Sequence, residues 1–333
     1  MDRRLDQAQE RIERIANAAW QQLAVADDVR RRGLPARIAR EVREAAGEVR
    51  DLLQSGSWRM PEPELRRRVD HLLANMNLNE FGVDAFGFSP NYVAKVIPVI
   101  EAIHRLWFRA EVYDIERVPA FGRCLLIANH SGQLPFDGMV IGSSLLLDRD
   151  PPRMVRGMVE KFAISLPVFG TLCMRCGQIT GLPDNCRRLL ADEEAVMVFP
   201  EGAHGIAKPF SQRYKLTRFG HGFMRLALET QTPIVPIAVV GAEEQIINAG
   251  NFELLAKLLS TPSIPLPPLA LLLGPLAMMP MPVKYRVYYG EPMQFEGDPN
   301  DDDAVIARKV GEVRGAIESM VARGLRERRG YFV

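Results

Sequence analysis

From Val112 onward the chain repeats one alternation: a short apolar run, a turn rich in Gly, Pro, Asn or Asp, then a longer stretch with helical spacing. The apolar runs are Val112–Ile115, Cys124–Ala128, Ala195–Phe199, Ile234–Val240 and Tyr285–Tyr289. Runs this short and this continuous suit strands covered on both faces. Helical intervals fall at Met139–Leu147, Asn185–Asp192 and His221–Thr230. A closing amphipathic helix over Asp302–Arg328 turns Val305, Val310, Val313, Ile317, Met320 and Val321 inward. The alternation predicts an α/β domain, a mixed and partly parallel sheet flanked by helices.

A helical segment precedes it. Ile12, Ile15, Ala19 and Leu23 form one stripe, Ile38, Val42, Ala45, Val49 and Leu52 a second, and Leu65, Val69, Leu72 and Met76 a third. Charged residues occupy their other faces, and Arg30-Arg31-Arg32 falls in a solvated break. Residues 1–88 are therefore expected to be a helical N-terminal segment and residues 89–333 the α/β domain. Asn77–Pro90 reads as a linker, and Ser89-Pro90 supplies an N-cap and first-turn pair for a helix over Asn91–Phe108. The apolar stripe of that helix is broad. It suits either a core helix or one lying in a membrane interface.

The net charge of +1 gives no electrostatic footprint for nucleic acid. The charged start, Met1–Arg14, lacks an apolar signal-peptide core, so secretion is not expected. Cys173 and Cys176 form a single CxxC pair with Cys186 nearby, too few ligands for zinc, and reduced structural cysteines are expected, with no metal and no bound cofactor. Between Lys257 and Lys284 no charge occurs, but Pro262, Pro265, Pro267, Pro268, Pro275, Pro280 and Pro282 interrupt the stretch. A spanning helix would lose too many backbone bonds, so residues 258–283 read as an apolar loop. Such a loop can fold onto the core, wall a lipid tunnel or insert shallowly into a membrane.

Chemistry-bearing residues cluster where the apolar runs end. After Cys124–Ala128 come Asn129-His130-Ser131-Gly132-Gln133-Leu134-Pro135-Phe136-Asp137-Gly138. His130 and Asp137 form either a polar dyad or a turn and a helix start. After Ala195–Val198 come Phe199-Pro200-Glu201-Gly202-Ala203-His204-Gly205, and the run Pro233–Gly241 is entered through prolines. Between them lies Arg175-Cys176-Gly177-Gln178-Ile179-Thr180-Gly181. Strand-end turns on one edge of an open α/β sheet can converge on one crevice.

Asn-His followed by Asp, then Phe-Pro-Glu-Gly, then a Val-Pro strand, in this order, resembles the glycerolipid acyltransferase superfamily over roughly Val112–Met293. The family includes 1-acylglycerol-3-phosphate, lysophospholipid and diacylglycerol acyltransferases. The resemblance implies an O-acyltransferase that moves a fatty acyl group from acyl-CoA or acyl-carrier protein, as co-substrate, to a glycerolipid hydroxyl. It implies His130 as general base and Asp137 as the group that orients it. Asn129, Glu201, Gly202 and His204 are then expected around the substrates. The implied setting is the cytoplasmic side of a membrane, with peripheral or monotopic attachment. A thioesterase using the same base and a non-catalytic lipid-binding membrane protein are the alternatives.

The sequence departs from the family pattern in three places. Six residues separate His130 from Asp137, two more than usual, and Pro135 stands at the usual Asp position. His204 stands where an acceptor-phosphate arginine usually follows Phe-Pro-Glu-Gly, and Leu182 falls near the place of a second usual arginine. Arg175, Lys208 and Arg213 are the nearby cations that can replace them. Arginine's planar fork suits phosphate better than imidazole does, so a mono- or diacylglycerol stands beside a lysophospholipid or lysophosphatidic acid as acceptor.

Overall fold

The computed structural model describes residues 34–74, 76–131, 134–247 and 279–333. The first predicted stripe (Ile12 to Leu23), the Arg30–Arg32 break, Gly132, Gln133 and nearly all of the apolar loop 258–283 lie outside these residues, as does the Ile38 side chain.

Seven strands form one sheet: β1 Glu111–Tyr113, β2 Cys124–Ala128, β3 Val155–Val159, β4 Ile179–Thr180, β5 Ala195–Val198, β6 Ile234–Val240 and β7 Arg286–Tyr289, in the order β1-β7-β6-β2-β5-β3-β4. From β6 to β4 all neighbours are parallel, whereas β7 runs antiparallel to β6 and carries β1 with it. The sheet is mixed and mostly parallel, and the C-terminal ends of β2, β3, β4, β5 and β6 share one edge.

Strands β2 and β6 are buried at every position because both faces are covered. Leu125 and Ile127, with Val196, Ala238 and Val240, face α7 Pro183–Ala191, α9 Gly222–Thr230 and α10 Asp303–Glu327. Leu126 and Ala128, with Met197, Val235, Ile237 and Val239, face α4 Phe136–Leu147. Successive residues go to opposite faces, as the two-residue strand period requires. On α10 the buried line is Ile306, Val310, Val313, Ile317 and Val321, with Val305 half-buried beside it.

The helices before the sheet join the same body. In α1 Leu34–Ser55, Ala45 packs into the core that α4 covers. The carboxylate of Glu41, also on α1, accepts the backbone N–H of Tyr331 near the C-terminus at 2.9 Å. From α2 Glu62–Ala74, Arg68 reaches the carbonyls of Leu146 and Arg149. Between α2 and the next helix, Asp84 accepts N–H bonds from Phe86 and Phe88 and pairs with the fully buried Arg156 on β3. The segment over 77–90 is thus pinned to the sheet.

The helix expected at Asn91–Phe108 is α3 Pro90–Ala102, capped by Ser89 and continued by a π-helical turn over Ile103–Trp107. It buries Val93, Ile97 and Ala102, the placement of a core helix. His104 in the wide turn is buried between Ser143 Oγ at 2.8 Å and Asp148 Oδ2 at 2.9 Å, which locks α3 to α4.

Two strands, β3 and β4, break the pattern read from sequence. β3 carries Arg156 and Gly157 at its centre, and β4 has only two residues, so neither presents an apolar run. Between them lie two short helices, α5 Lys161–Ser165 and α6 Phe169–Arg175.

Candidate active site

His130 follows the C-terminal end of β2, and Asp137 sits in the first turn of α4. Nδ1 of His130 is 2.8 Å from Asp137 Oδ2, and both side chains are buried. Although two residues longer than the family pattern, the loop keeps the pair in contact. It does so by starting α4 immediately after Pro135, whose carbonyl accepts the N–H of Met139. The same Oδ2 accepts the Ser131 N–H at 2.9 Å, and Oδ1 accepts the Gly138 N–H at 2.8 Å. These bonds fix the carboxylate, and the carboxylate fixes the imidazole. With Nδ1 occupied, Nε2 is the ring nitrogen left to face a reacting group.

The imidazole is held from the side as well. The Phe199 ring stacks on it with centroids 4.1 Å apart and planes 24° from parallel. The turn before α4 is tied down by Gln245, whose Nε2 donates to the Leu134 carbonyl while its Oε1 accepts from Tyr285 Oη, both at 2.9 Å. Neither Gln245 nor Tyr285 was marked as a site residue by the sequence, because each supports this turn only through contacts between residues far apart in the chain.

Glu201 lies beneath the histidine. Its Oε1 accepts the backbone N–H of His130 at 3.0 Å. Its Oε2 accepts the Thr217 N–H at 2.7 Å and the Thr217 hydroxyl at 2.9 Å, and Lys208 Nζ stands 3.5 Å away. Both oxygens of its carboxylate thus have protein partners, and one of them holds the His130 backbone. Gly202 has φ +55° and ψ −146°, backbone that a side chain would strain, and it starts the single turn α8 Ala203–Ile206. Gly205 on that turn lies under His130: a Cβ there would come 2.8 Å from the His130 carbonyl oxygen and 3.0 Å from its Cβ.

Asn129 is fully buried, with Nδ2 donating to the Val239 carbonyl at 3.1 Å and Oδ1 accepting the Val239 N–H at 2.8 Å. It completes the β2–β6 ladder where β2 ends. Both polar atoms of its amide are engaged in the framework.

Of the cations expected to meet a phosphate, Lys208 is buried. Its Nζ is 3.0 Å from Glu243 Oε1 and also donates to the Lys215 carbonyl at 3.2 Å. Burial pushes the Glu243 carboxyl up to about 7 against the pull of Lys208. Next to it Glu244 meets Arg328 at 2.6 Å and takes the Tyr214 hydroxyl, and burial raises its carboxyl as well. Arg213 lies over the Phe210 ring, 4.4 Å from the centroid, and donates to the Phe210 carbonyl. His204 is exposed on α8, and Arg175 is half-buried at the end of α6. The dyad, Glu201 and Lys208 thus form one connected group.

The cysteines are free thiols. Burial pushes Cys173, Cys176 and Cys186 each up to about 11, which makes them poor nucleophiles. Among the described residues no cluster of three or more His, Cys, Asp or Glu side chains is arranged to hold a metal.

A mostly parallel sheet with a histidine–carboxylate pair at the carboxyl end of a central strand defines an α/β enzyme-like site. Residues 109–240 match the family model for acyltransferases. An uncharacterized protein of Mycobacterium tuberculosis is 36% identical over 76% of this chain and 72% of its own length. One from Mycobacterium leprae is 34% identical over 92% of this chain and 86% of its own. The human protein named DGAT1/2-independent enzyme synthesizing storage lipids is 23% identical over 65% of this chain and 62% of its own. Among solved structures, the 1-acyl-sn-glycerophosphate acyltransferase PlsC of Thermotoga maritima is similar at 16% identity and a TM-score of 0.45, over 72% of this chain and 84% of that one. The chain belongs to the acyltransferase family.

Proposed function

We propose that the protein transfers a fatty acyl group from acyl-CoA or acyl-carrier protein to the hydroxyl of a neutral glycerolipid, a mono- or diacylglycerol, at a membrane surface on its cytoplasmic side. The observation that carries the reaction is the His130–Asp137 contact at 2.8 Å. An alcohol is a weak nucleophile toward a thioester at neutral pH. His130 Nε2 takes the hydroxyl proton as the oxygen attacks the thioester carbonyl, a contribution of roughly 10²–10⁴-fold. Asp137, on Nδ1, fixes the tautomer and stabilises the imidazolium that forms. Collapse of the tetrahedral intermediate forms the ester and expels the thiolate, which takes up the proton from His130.

The choice of a neutral acceptor rests on Lys208. A phosphate-binding cation must be free to turn toward its ligand, and Lys208 lies buried against Glu201 and Glu243. His204 in place of an arginine points the same way.

The test uses purified protein, acyl-CoA and detergent-dispersed monoacylglycerol, diacylglycerol or lysophosphatidic acid, following free thiol and lipid product. Ester formation on the neutral acceptors, abolished by His130→Ala, is expected. Thiol release without lipid product would replace the proposal with a thioesterase. Absence of turnover by folded protein would replace it with a lipid-binding role, and preference for lysophosphatidic acid would overturn the neutral acceptor.

A further inference from the structure

The turn that follows β6 reaches both members of the dyad. Its 3₁₀ turn, Ala242–Glu244, and the next residue, Gln245, are all buried. β6 lies beside β2, and Asn129 bonds Val239 directly before His130, so the end of β6 is fixed against the strand that carries the base.

Two arms leave this turn. Glu243 Oε1 meets Lys208 Nζ at 3.0 Å, Lys208 Nζ stands 3.5 Å from Glu201 Oε2, and Glu201 Oε1 accepts the His130 N–H at 3.0 Å. That arm ends on the base. In the other, Gln245 Nε2 donates to the Leu134 carbonyl at 2.9 Å. The same carbonyl accepts the Phe136 N–H at 2.8 Å, where α4 begins, one residue before Asp137.

The turn itself is braced. Gly241 enters it at φ +109°, and a Cβ there would lie 2.3 Å from the Lys284 carbonyl oxygen, so a side chain has no room. Tyr214 is held at φ +62°, a strained backbone for a bulky residue. Its hydroxyl accepts the Gly241 N–H at 2.9 Å and donates to Glu244, whose other oxygen meets Arg328. Tyr285 Oη donates to Gln245 Oε1 at 2.9 Å, and the Met281 N–H donates to the Gln245 carbonyl at 2.7 Å. The polar side chains of the turn are thus engaged either in fixing it or in the two arms.

We infer that Glu243 and Gln245 are positioning residues of the reaction. Glu243 acts on His130 through Lys208 and Glu201, and Gln245 acts on Asp137 through the Leu134 turn. The base and its orienter stand on separate elements, and a shift of about 1 Å in either mount can cost about 10²-fold in rate. The reaction served is the proposed acyl transfer; the geometry of the dyad is measurable without it.

The experiment is NMR of the full chain labelled with ¹⁵N-histidine, reading the His130 Nδ1–H resonance assigned by its absence in His130→Ala. Steady-state kinetics accompanies it. Gln245→Met keeps the length of the side chain and removes both of its bonds, and Glu243→Asp keeps the charge and shortens the arm. Each is expected to shift or broaden the resonance and to lower kcat by about tenfold, with KM changed by less than about twofold. Glu243→Gln keeps the length and an oxygen for Lys208, and should retain most of the signal and the rate. Tyr285→Phe, the mildest change to the Gln245 arm, should lower kcat by about threefold. Val310→Ala opens a cavity under α10 and should lower the melting temperature with signal and kcat unchanged. Thermal unfolding establishes that each variant is folded. An unmoved resonance in Gln245→Met or Glu243→Asp overturns the inference. So does an equal change in Val310→Ala, which would make the effect a general loosening. A chain whose resonance moves in these variants but which transfers no acyl group would retain this inference and lose the proposed function.

Discussion

Asp137 Oδ2 accepts from both His130 Nδ1, at 2.8 Å, and the backbone N–H of Ser131, at 2.9 Å. One oxygen therefore sets the imidazole and the loop that carries it. In Asp137→Asn the amide can no longer accept at both oxygens, so a buried donor is left unpaired or the His130 tautomer is inverted. We expect kcat to fall by about 10²-fold or more with KM little changed, and stability to fall by about 1–3 kcal/mol. Steady-state kinetics with chemical denaturation checks both, and wild-type kcat would remove Asp137 from the mechanism.

Glu201 acts through the His130 backbone, so its removal should be felt as misplacement. Glu201→Gln is expected to reduce kcat strongly and to destabilise by about 3 kcal/mol, because Lys208 loses a carboxylate partner. Thr217→Val removes only the hydroxyl bond at 2.9 Å and should cost about 1 kcal/mol with a smaller fall in kcat. Equal effects of the two changes would contradict this ranking.

The approach of Gly205 to His130 leaves no room for a methyl group. Gly205→Ala should destabilise by about 2 kcal/mol, since the atoms it meets include the His130 carbonyl, which cannot swing aside. Activity should fall more than stability alone explains, read as a loss of kcat in protein shown to be fully folded at the assay temperature.

Acceptor choice can be read at two positions. Lys208→Met should lower stability by about 3 kcal/mol, by stranding buried carboxylates, and leave the ratio of neutral to phosphorylated acceptor use unchanged. His204→Arg, on the exposed face of α8, should raise relative use of lysophosphatidic acid by about tenfold. An unchanged ratio in His204→Arg would show that this position does not govern the acceptor.

Glu243 gives the protein a pH-dependent stability. Its carboxyl is raised from the usual 4.5 to about 7, so between those values the folded chain binds more protons than the unfolded one. Stability from this group is complete below about 4.5 and is lost as pH rises through about 7, by about 2 kcal/mol after discounting for relaxation around the pair. Melting temperatures from pH 5 to 8 should show a decline that Glu243→Gln removes. A parallel slope in that variant would place the titration elsewhere.

The strands β2, β5 and β6 were legible from sequence because a strand buried on both faces must be apolar at successive positions. His130, Asp137 and Glu201 were legible because each follows such a run, and in a parallel sheet those ends share an edge. β3 and β4 were hidden by Arg156, Gly157 and a two-residue length, since only the pairing of Arg156 with Asp84 across the chain makes that charge tolerable inside. The reversal of β7 against β6 was equally hidden, because pairing direction is settled by the neighbour a strand meets.

The sequence by itself determined the α/β class and the places of His130 and Glu201 just after apolar strands. Those follow from local periodicity and from order along the chain. Only the tertiary structure decided that Asp137 reaches His130 despite the longer loop, that Asn129 and Glu201 turn inward, and that Lys208 lies buried beside Glu201 and Glu243. A side chain's charge and hydrogen-bonding capacity are written in the sequence. Which partner consumes them is fixed only when distant strands and turns are brought within about 3 Å of one another.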